Sequence, residues 1–285
     1  MVAAKSPAGR RSSARPRRTS AAGGQAAAHN PLFNDSAQKA LAVLEAFGQG
    51  RRVLKLAEAA ELAGITKASA QRCIHTLEVL GYLRRDRRST GWVLTPRALG
   101  IAHAYLSGYH LIEQATQHLV DLNRATGESV SLSEPDGTEM VFVARFPSHK
   151  RFPIHMPIGT RLPMYCTASG RAYLSALPAA EAQRLLRQSA LRPLTPMTIT
   201  DSRRIMELIE AAHVDGYASS EQECYRGDVT VAAPVIREGG HPVGAINISA
   251  PTSRWTLEEM RGKLAPLVME TARALSSAAA PQARG

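Results

Sequence analysis

The chain has 285 residues, 44% hydrophobic and 5% aromatic, with 35 Lys and Arg against 24 Asp and Glu, for a net charge of +11. That length suits two domains, and no apolar run reaches membrane-spanning length or has the form of a signal-peptide core. Three scattered cysteines, Cys73, Cys166 and Cys224, with no C-x-x-C spacing, argue against a disulfide framework or a zinc motif and suit a reduced, cytoplasmic compartment.

The charge is unevenly placed. Residues 1–30 carry six Lys or Arg and no acid, residues 51–97 carry ten bases and four acids, and residues 98–285 carry eighteen of each. A basic first third beside a neutral remainder is the pattern of a protein that neutralises phosphates with one part only. Residues 1–30 are Ala, Gly, Ser, Pro and Arg with few large apolar side chains. They cannot bury enough surface to offset ordering entropy, so a disordered basic tail is expected there. It either adds salt-sensitive attraction for DNA or only solubilises. The same composition also resembles an organelle transit peptide.

Asp35 or Ser36 is placed to cap a first helix carrying Ala40, Leu41, Val43, Leu44 and Phe47. Residues 56–94 then read helix, turn, helix and basic ribbon. Leu56, Ala59, Ala60 and Leu62 make the first helix amphipathic, Gly64 supplies the turn, and Thr66 caps the second helix. In that helix Ala70, Cys73, Ile74, Leu77 and Leu80 recur at helical spacing as a buried stripe. Lys67, Ser69, Gln71, Arg72 and His75 fall on the other face. Two short strands, Tyr82–Arg85 and Trp92–Leu94, flank a turn holding Arg87 and Arg88. A helical hairpin alone is common; the arginine ribbon directly after it makes this a winged helix-turn-helix over residues 31–95. Thr66, Lys67, Ser69, Gln71, Arg72, His75, Arg85, Arg87 and Arg88 are the candidate DNA contacts.

Thr95 and Pro96 start a helical pattern that runs to about Asn123 with a break near Ser107–Gly108. Residues 96–124 are expected to link the domains. They either form a dimer seam, which two-fold DNA sites favour, or pack on their own chain.

Residues 125–278 read as an α+β domain with an antiparallel sheet. A hairpin is expected from Ser129–Glu134 and Met140–Phe146 around Pro135–Thr138, followed by a strand Ile154–Ile158 and a loop Gly159–Cys166. Helices follow at Thr167–Leu177, Pro178–Gln188 and Ser202–Asp215, the last capped by Asp201 and ended by Gly216. Strands near Tyr217–Ser220, Val229–Arg237 and Val243–Ser249, the last two turning at Glu238–Gly240, precede a final helix Leu257–Ser276 kinked at Pro266. Residues 279–285 are expected to be a disordered tail.

The stretches LAEAAELAGITKASAQRCIHTLEVLGYLRRD, GTRLPMYCTASGRAYLSAL, DGYASSEQECYRGDVTVAAPV and GAINISAP resemble, in order and separation, the IclR-type transcriptional regulators. The resemblance covers about residues 35–276, and RLPMYCTASGRAYL is similar to the branch that controls aromatic-acid catabolism through the protocatechuate and β-ketoadipate routes. It implies a winged-helix head, a GAF-like effector domain, dimers that commonly pair into tetramers, and control by a small, often carboxylated, metabolite. No enzyme activity, cofactor, metal or membrane partner is expected: the chain shows no catalytic or metal-binding motif and no membrane-length apolar run. One departure is Thr230, on a strand where some members offer Cys or Ser to the ligand.

The residues themselves point to an anion pocket. Thr167, Ala168 and Ser169 open a helix, where free N–H groups and the helix dipole favour a negative charge. Arg161, six residues earlier, can pair with a carboxylate or form a surface ion pair. Tyr165 can stack on an aromatic ligand or cover the core. Glu221 and Glu223 read as a solvated loop, and the resemblance places that loop at the pocket border. Asn247 and Ser249 alternate with Ile246 and Ile248, so both face one way, inward to a ligand or outward to solvent. Cys166 near the helix start leaves an alternative, a thiol-based redox sensor or enzyme-like domain; no nucleophile elbow, P-loop or dinucleotide fingerprint accompanies it.

Overall fold

The computed structural model describes residues 30–48, 51–108, 110–150, 156–237 and 239–278. Residues 1–29 of the tail expected at 1–30 and the whole tail expected at 279–285 lie outside the described residues, as do positions 154 and 155 of the expected strand. Met156–Ile158 form no strand. The described chain divides into two compact units between Tyr105 and Leu106.

In the first unit, α1 (Asp35–Ala46) is capped by Asn34 rather than by Asp35 or Ser36: its side chain accepts from the amides of Ser36 and Ala37, both at 3.0 Å. The preference of Asn for the extended cap position accounts for the one-residue shift. Helices α2 (Leu56–Leu62) and α3 (Lys67–Val79) follow, separated by a turn in which Gly64 has φ 67°. Thr66 caps α3 through the amide of Ser69. The core is Val43, Phe47, Leu54, Ala59, Ile74, Leu77, Leu83 and Trp92. Each large side chain buried there contributes about 1.5–3 kcal/mol. Strands β1 (Leu83–Arg85) and β2 (Trp92–Leu94) pair antiparallel as the wing. Leu54 extends the wing with a third short rung, exchanging both backbone hydrogen bonds with Trp92 at 2.9 and 3.1 Å.

After a 3-10 turn (Pro96–Ala98) come α4 (Leu99–Gly108) and α5 (His110–Thr126). The two differ in burial. Helix α5 buries Leu111, Ala115, Leu119 and Leu122, whereas α4 has no buried residue and leaves Leu99, Ile101 and Tyr105 exposed.

The second unit is a six-stranded sheet, antiparallel throughout, in the order β5-β4-β3-β8-β7-β6. Its strands are β3 (Ser129–Asp136), β4 (Glu139–Phe146), β5 (Arg161–Pro163), β6 (Ala218–Glu221), β7 (Asp228–Ile236) and β8 (Pro242–Pro251). Strands β3 and β4 run further than expected, leaving only Gly137 and Thr138 as the turn. Arg161–Pro163, expected as loop, pairs with β4 as an edge strand. One sheet face is aliphatic: Val130, Leu132, Val229, Val231, Ile246 and Ile248 pack on α5 and on α10 (Ala265–Ala278). The other carries Ser131, Ser133, Thr230 and Asn247, all buried, beneath α6 (Ala168–Ser175). The apolar–polar alternation along β3 therefore separates two covered faces, not a core face and a wet one.

Helices α7 (Ala179–Gln188) and α8 (Ser202–Asp215) complete the α6 side. At the C-terminal end, α9 (Leu257–Glu259) joins α10 through a π turn, Met260–Leu264, closed by the Ala265 amide on the Met260 carbonyl. The expected irregularity is thus a widened turn immediately before Pro266, whose ring cannot sit against an i−4 carbonyl and has no N–H to donate. Among the described residues, no helix is long and apolar enough to cross a membrane.

Candidate functional site

Two places in the chain gather chemistry. The first is the exposed face of α3 with the wing. Thr66, Lys67, Gln71, Arg72 and His75 are exposed and Ser69 is half-buried, while Ala70, Ile74 and Leu77 anchor the opposite side. In the wing the arginines are not equivalent. The Arg85 guanidinium stacks on the Trp92 ring at 3.8 Å, donates to the Thr90 carbonyl at 3.3 Å and approaches Glu78 at 4.0 Å. Trp92 Nε1 in turn donates to Glu78 at 3.3 Å, which ties the ribbon to the end of α3. Arg87 and Arg88 stand at the exposed tip, where Asp86 shapes the turn by accepting from the Ser89 hydroxyl and the Arg88 amide. Arg84, not among the expected contacts, is exposed on the same ribbon.

The second is a cavity of about 30 Å³ between the start of α6 and the polar sheet face. Thr167, Ala168 and Ser169 line it from the helix; Thr230, Asn247 and Ser249 line it from β7 and β8. Thr230 lies directly opposite Ser249, and Asn247 is opposite both Ala232 and Ser131, so these side chains form adjoining rows. Phe142, Met156, Leu162 and Tyr225 supply the apolar lining. Asn247 is 3% exposed and its Oδ1 has no hydrogen-bond partner. A buried, unsatisfied amide oxygen costs about 1–3 kcal/mol.

Several expected residues stand elsewhere. Arg161 is not in the cavity: it sits on edge strand β5, where Nε pairs with Glu139 at 2.9 Å and Nη2 with Asp136 at 2.5 Å. The tight β3–β4 turn brings both acids beside it. Tyr165 belongs to the core; its hydroxyl donates to the Arg192 carbonyl at 2.5 Å and accepts from the Arg192 amide at 3.1 Å. Burial and the adjacent Cys166 thiol push its phenol to about 12. Glu221 ends β6 opposite Val229 and does not line the cavity; Ser220, its neighbour, does. Glu223 does line it, but not as a solvated loop acid: it is buried and paired with Arg171. Cys166 is fully buried behind the lining, and Cys224 is the thiol at the surface of the cavity. A hydrogen bond with Cys166, then burial, push the Cys224 thiol well above the ordinary range. A Cys166 buried away from solvent and a Cys224 whose thiolate is disfavoured do not suit a ready nucleophile or a fast redox sensor.

Two residues of the cavity escaped the sequence reading. Arg145 on β4 donates to the Ser131 hydroxyl at 3.1 Å and lies 5.8 Å from the Phe142 ring centroid. Asp228, the first residue of β7, accepts from Ser249 Oγ at 2.6 Å and Thr230 Oγ1 at 2.9 Å. Burial pushes the Asp228 carboxyl up, opposed by those two hydroxyls and by the charge of Arg145. Among the described residues, no cluster of His, Cys, Asp or Glu is arranged to hold a metal.

Comparison with known proteins places this geometry. Residues 36–87 match the IclR helix-turn-helix domain and residues 103–277 the bacterial transcriptional regulator IclR C-terminal domain. The chain is 29% identical over 252 residues to the Pca regulon regulatory protein of Pseudomonas putida, covering 88% of this chain and 86% of that one. It is 34% identical over 242 residues to the p-hydroxybenzoate hydroxylase transcriptional activator of Acinetobacter baylyi, covering 83% and 89%. A structure of a regulator from Rhodococcus sp. RHA1 superposes with a TM-score of 0.72 at 35% identity, covering 87% of this chain and 98% of that one. These relatives are regulators of transcription and not enzymes. The chain belongs to the IclR family of bacterial transcriptional regulators, with its similar relatives in the branch that governs aromatic catabolism.

Proposed function

We propose that this regulator binds operator DNA as a homodimer, able to pair into a dimer of dimers, and responds to a small aromatic carboxylic acid held between α6 and the polar sheet face. Residues 31–95 read the DNA, with α3 in the major groove and Arg87 and Arg88 on phosphate. Residues 96–124 link and dimerise, and residues 125–278 bind the effector. The exposed apolar side of α4, with Leu99 and Ile101 at 68% and 59% exposure, supports the dimer seam.

The observation that carries the effector site is Asn247, whose buried Oδ1 has no hydrogen-bond partner, in a cavity that also holds a helix N-terminus and Arg145. The helix amides and the cation suit a carboxylate; Phe142 and Tyr225 suit a ring. The cavity has room for about one water as shaped, so a ring enters as Tyr225 and Met156 swing aside. That rearrangement is the step that biases the spacing of the two DNA-reading heads. The names of the relatives, which concern pca genes and p-hydroxybenzoate hydroxylase, support an aromatic acid over an aliphatic one.

The test is calorimetry on the full-length protein with benzoate, 4-hydroxybenzoate and succinate, followed by operator titrations with and without the best binder. An aromatic acid should bind, and operator DNA should change its affinity by the factor by which the acid changes operator affinity. Binding that is unaltered by Asn247→Leu and Arg145→Met, or no binding of any acid, sinks the site.

A further inference from the structure

A carboxylate guest in this cavity meets a carboxyl already there. Asp228 lines it from the start of β7, and Ser249 Oγ and Thr230 Oγ1 each donate to one of its oxygens, at 2.6 and 2.9 Å. The charges around it do not balance two anions. Arg145 on β4 lines the same cavity, and the start of α6 adds about half a positive charge. Glu223 is already met by Arg171 in a two-pronged ion pair. A hydrogen bond with Cys166 keeps the Cys224 thiol protonated, and partial burial does the same for the Tyr225 phenol. The lining residues of α6 and β8 carry no titratable side chain.

We infer that Asp228 meets the effector as a neutral carboxylic acid, donating a hydrogen bond to the effector's carboxylate, so that acid and proton bind together wherever free Asp228 is ionised. This rests on the cavity being the effector site. Two carboxylates sharing a poorly solvated site cannot both stay charged. In the free protein, burial pushes the Asp228 carboxyl up while the two hydroxyls and the charge of Arg145 oppose it. A guest anion takes the charge of Arg145 for itself and adds like-charge repulsion, so Asp228 takes up the proton. Each Asp228 oxygen already has one lone pair on a hydroxyl, which leaves the acid proton to point into the cavity. A carboxyl kept neutral by its surroundings is a donor to an oxyanion. The sign follows from linkage: the complex holds a proton that ionised Asp228 lacks, so affinity is level at low pH and falls as pH rises through the titration of free Asp228.

Calorimetry of benzoate binding to the full-length protein, from about pH 5.5 to about pH 9, tests it, since benzoate itself stays ionised across that range. Affinity should be level at the acid end and fall by about tenfold per pH unit at the alkaline end. There, titrations in two buffers of different ionisation enthalpy should show about one proton taken up per benzoate bound. Asp228→Asn keeps a donor but has no proton to exchange, so it should bind benzoate with a flat pH profile and no proton uptake. Wild-type affinity that is flat across the range, with no proton uptake, overturns the inference without recourse to a variant. So does an Asp228→Asn protein that keeps the wild-type slope, which would put the proton on another group. If benzoate binds without a linked proton, the effector site stands and this inference falls; if benzoate does not bind at any pH, both fall.

Discussion

Arg171 and Glu223 meet as a two-pronged ion pair beside the cavity, Nη1 to Oε1 at 2.5 Å and Nη2 to Oε2 at 2.7 Å, with side chains 2% and 6% exposed. Arg171 Nε also donates to the Tyr165 carbonyl. Glu223 Oε2 accepts from the Ile199 amide, and its carbonyl accepts from the Thr198 hydroxyl. The pair thus pins α6, the segment before α8 and the cavity wall to one another. A buried pair is costly to break because its survivor is left uncompensated. Arg171→Met and Glu223→Gln should each lower stability by about 3–5 kcal/mol. The double replacement should cost less than the sum. Additive losses in denaturant titrations would contradict this account.

Glu128 governs the acid limb of stability. It is fully buried and accepts from Lys150 at 2.7 Å, Arg254 at 2.6 Å and Trp255 at 3.0 Å. Burial pushes its carboxyl up, but these three donors prevail and hold it below 4.5, the ordinary value. The unfolded chain therefore takes up the proton first as pH falls. The stabilisation is fully present above about 4.5 and is lost as pH drops through the lowered folded value. Glu128→Gln should melt earlier than wild type at neutral pH and lose less Tm on acidification. Parallel Tm–pH curves for the two proteins would rule this out.

The wing arginines should separate into two classes. Arg87 and Arg88 are exposed at the tip, so their joint replacement by Ala should weaken binding to all DNA sequences. It should also reduce the slope of log K against log salt by about two. Arg85 is stacked on Trp92, so Arg85→Ala should also lower the Tm of the wing unit, which the tip variant should not. Anisotropy titrations across salt, with melting curves of the same variants, check both halves. Arg72→Ala, on the exposed face of α3, should cost about 1–3 kcal/mol at the native operator and little on random DNA.

What the sequence made legible follows its local rules. Helix-capping chemistry located α8 from Asp201 to Gly216, and period-two alternation put Asn247 and Ser249 on one face of β8. What it hid depends on register between distant strands. Arg145 reaches the cavity because a shift between Leu132 and Ser133 sets it opposite Ser131 and Phe142 opposite Ser133. Nothing local to Arg145 announces that. Asp228 lies just before the expected strand Val229–Arg237, and becomes a cavity wall only when Thr230 pairs with Ser249. Arg161 misled for the same reason: proximity in sequence to the α6 start suggested a shared site, while edge pairing with β4 gave it Asp136 and Glu139 instead.

Gly170 is the remaining lever on the cavity. It lies in the first turn of α6, and a Cβ there would overlap the Met164 backbone at its Cα and carbonyl oxygen, with the carbonyl carbon at 2.6 Å. The obstacle is main chain, so no side-chain rotation relieves it, and α6 would have to shift away from the Met164 bend that leads into it. Overpacking of this kind costs about 1–3 kcal/mol. The displaced helix carries Ala168 and Ser169 out of register with Thr230 and Asn247. Gly170→Ala should therefore lower the Tm of the second unit and abolish binding of the aromatic acid. The first unit, with its own core, should keep its affinity for operator DNA in the absence of acid. Calorimetry and operator titration on the same preparation check this. An alanine variant that binds the acid as wild type does would show that the α6 start is not part of the effector site.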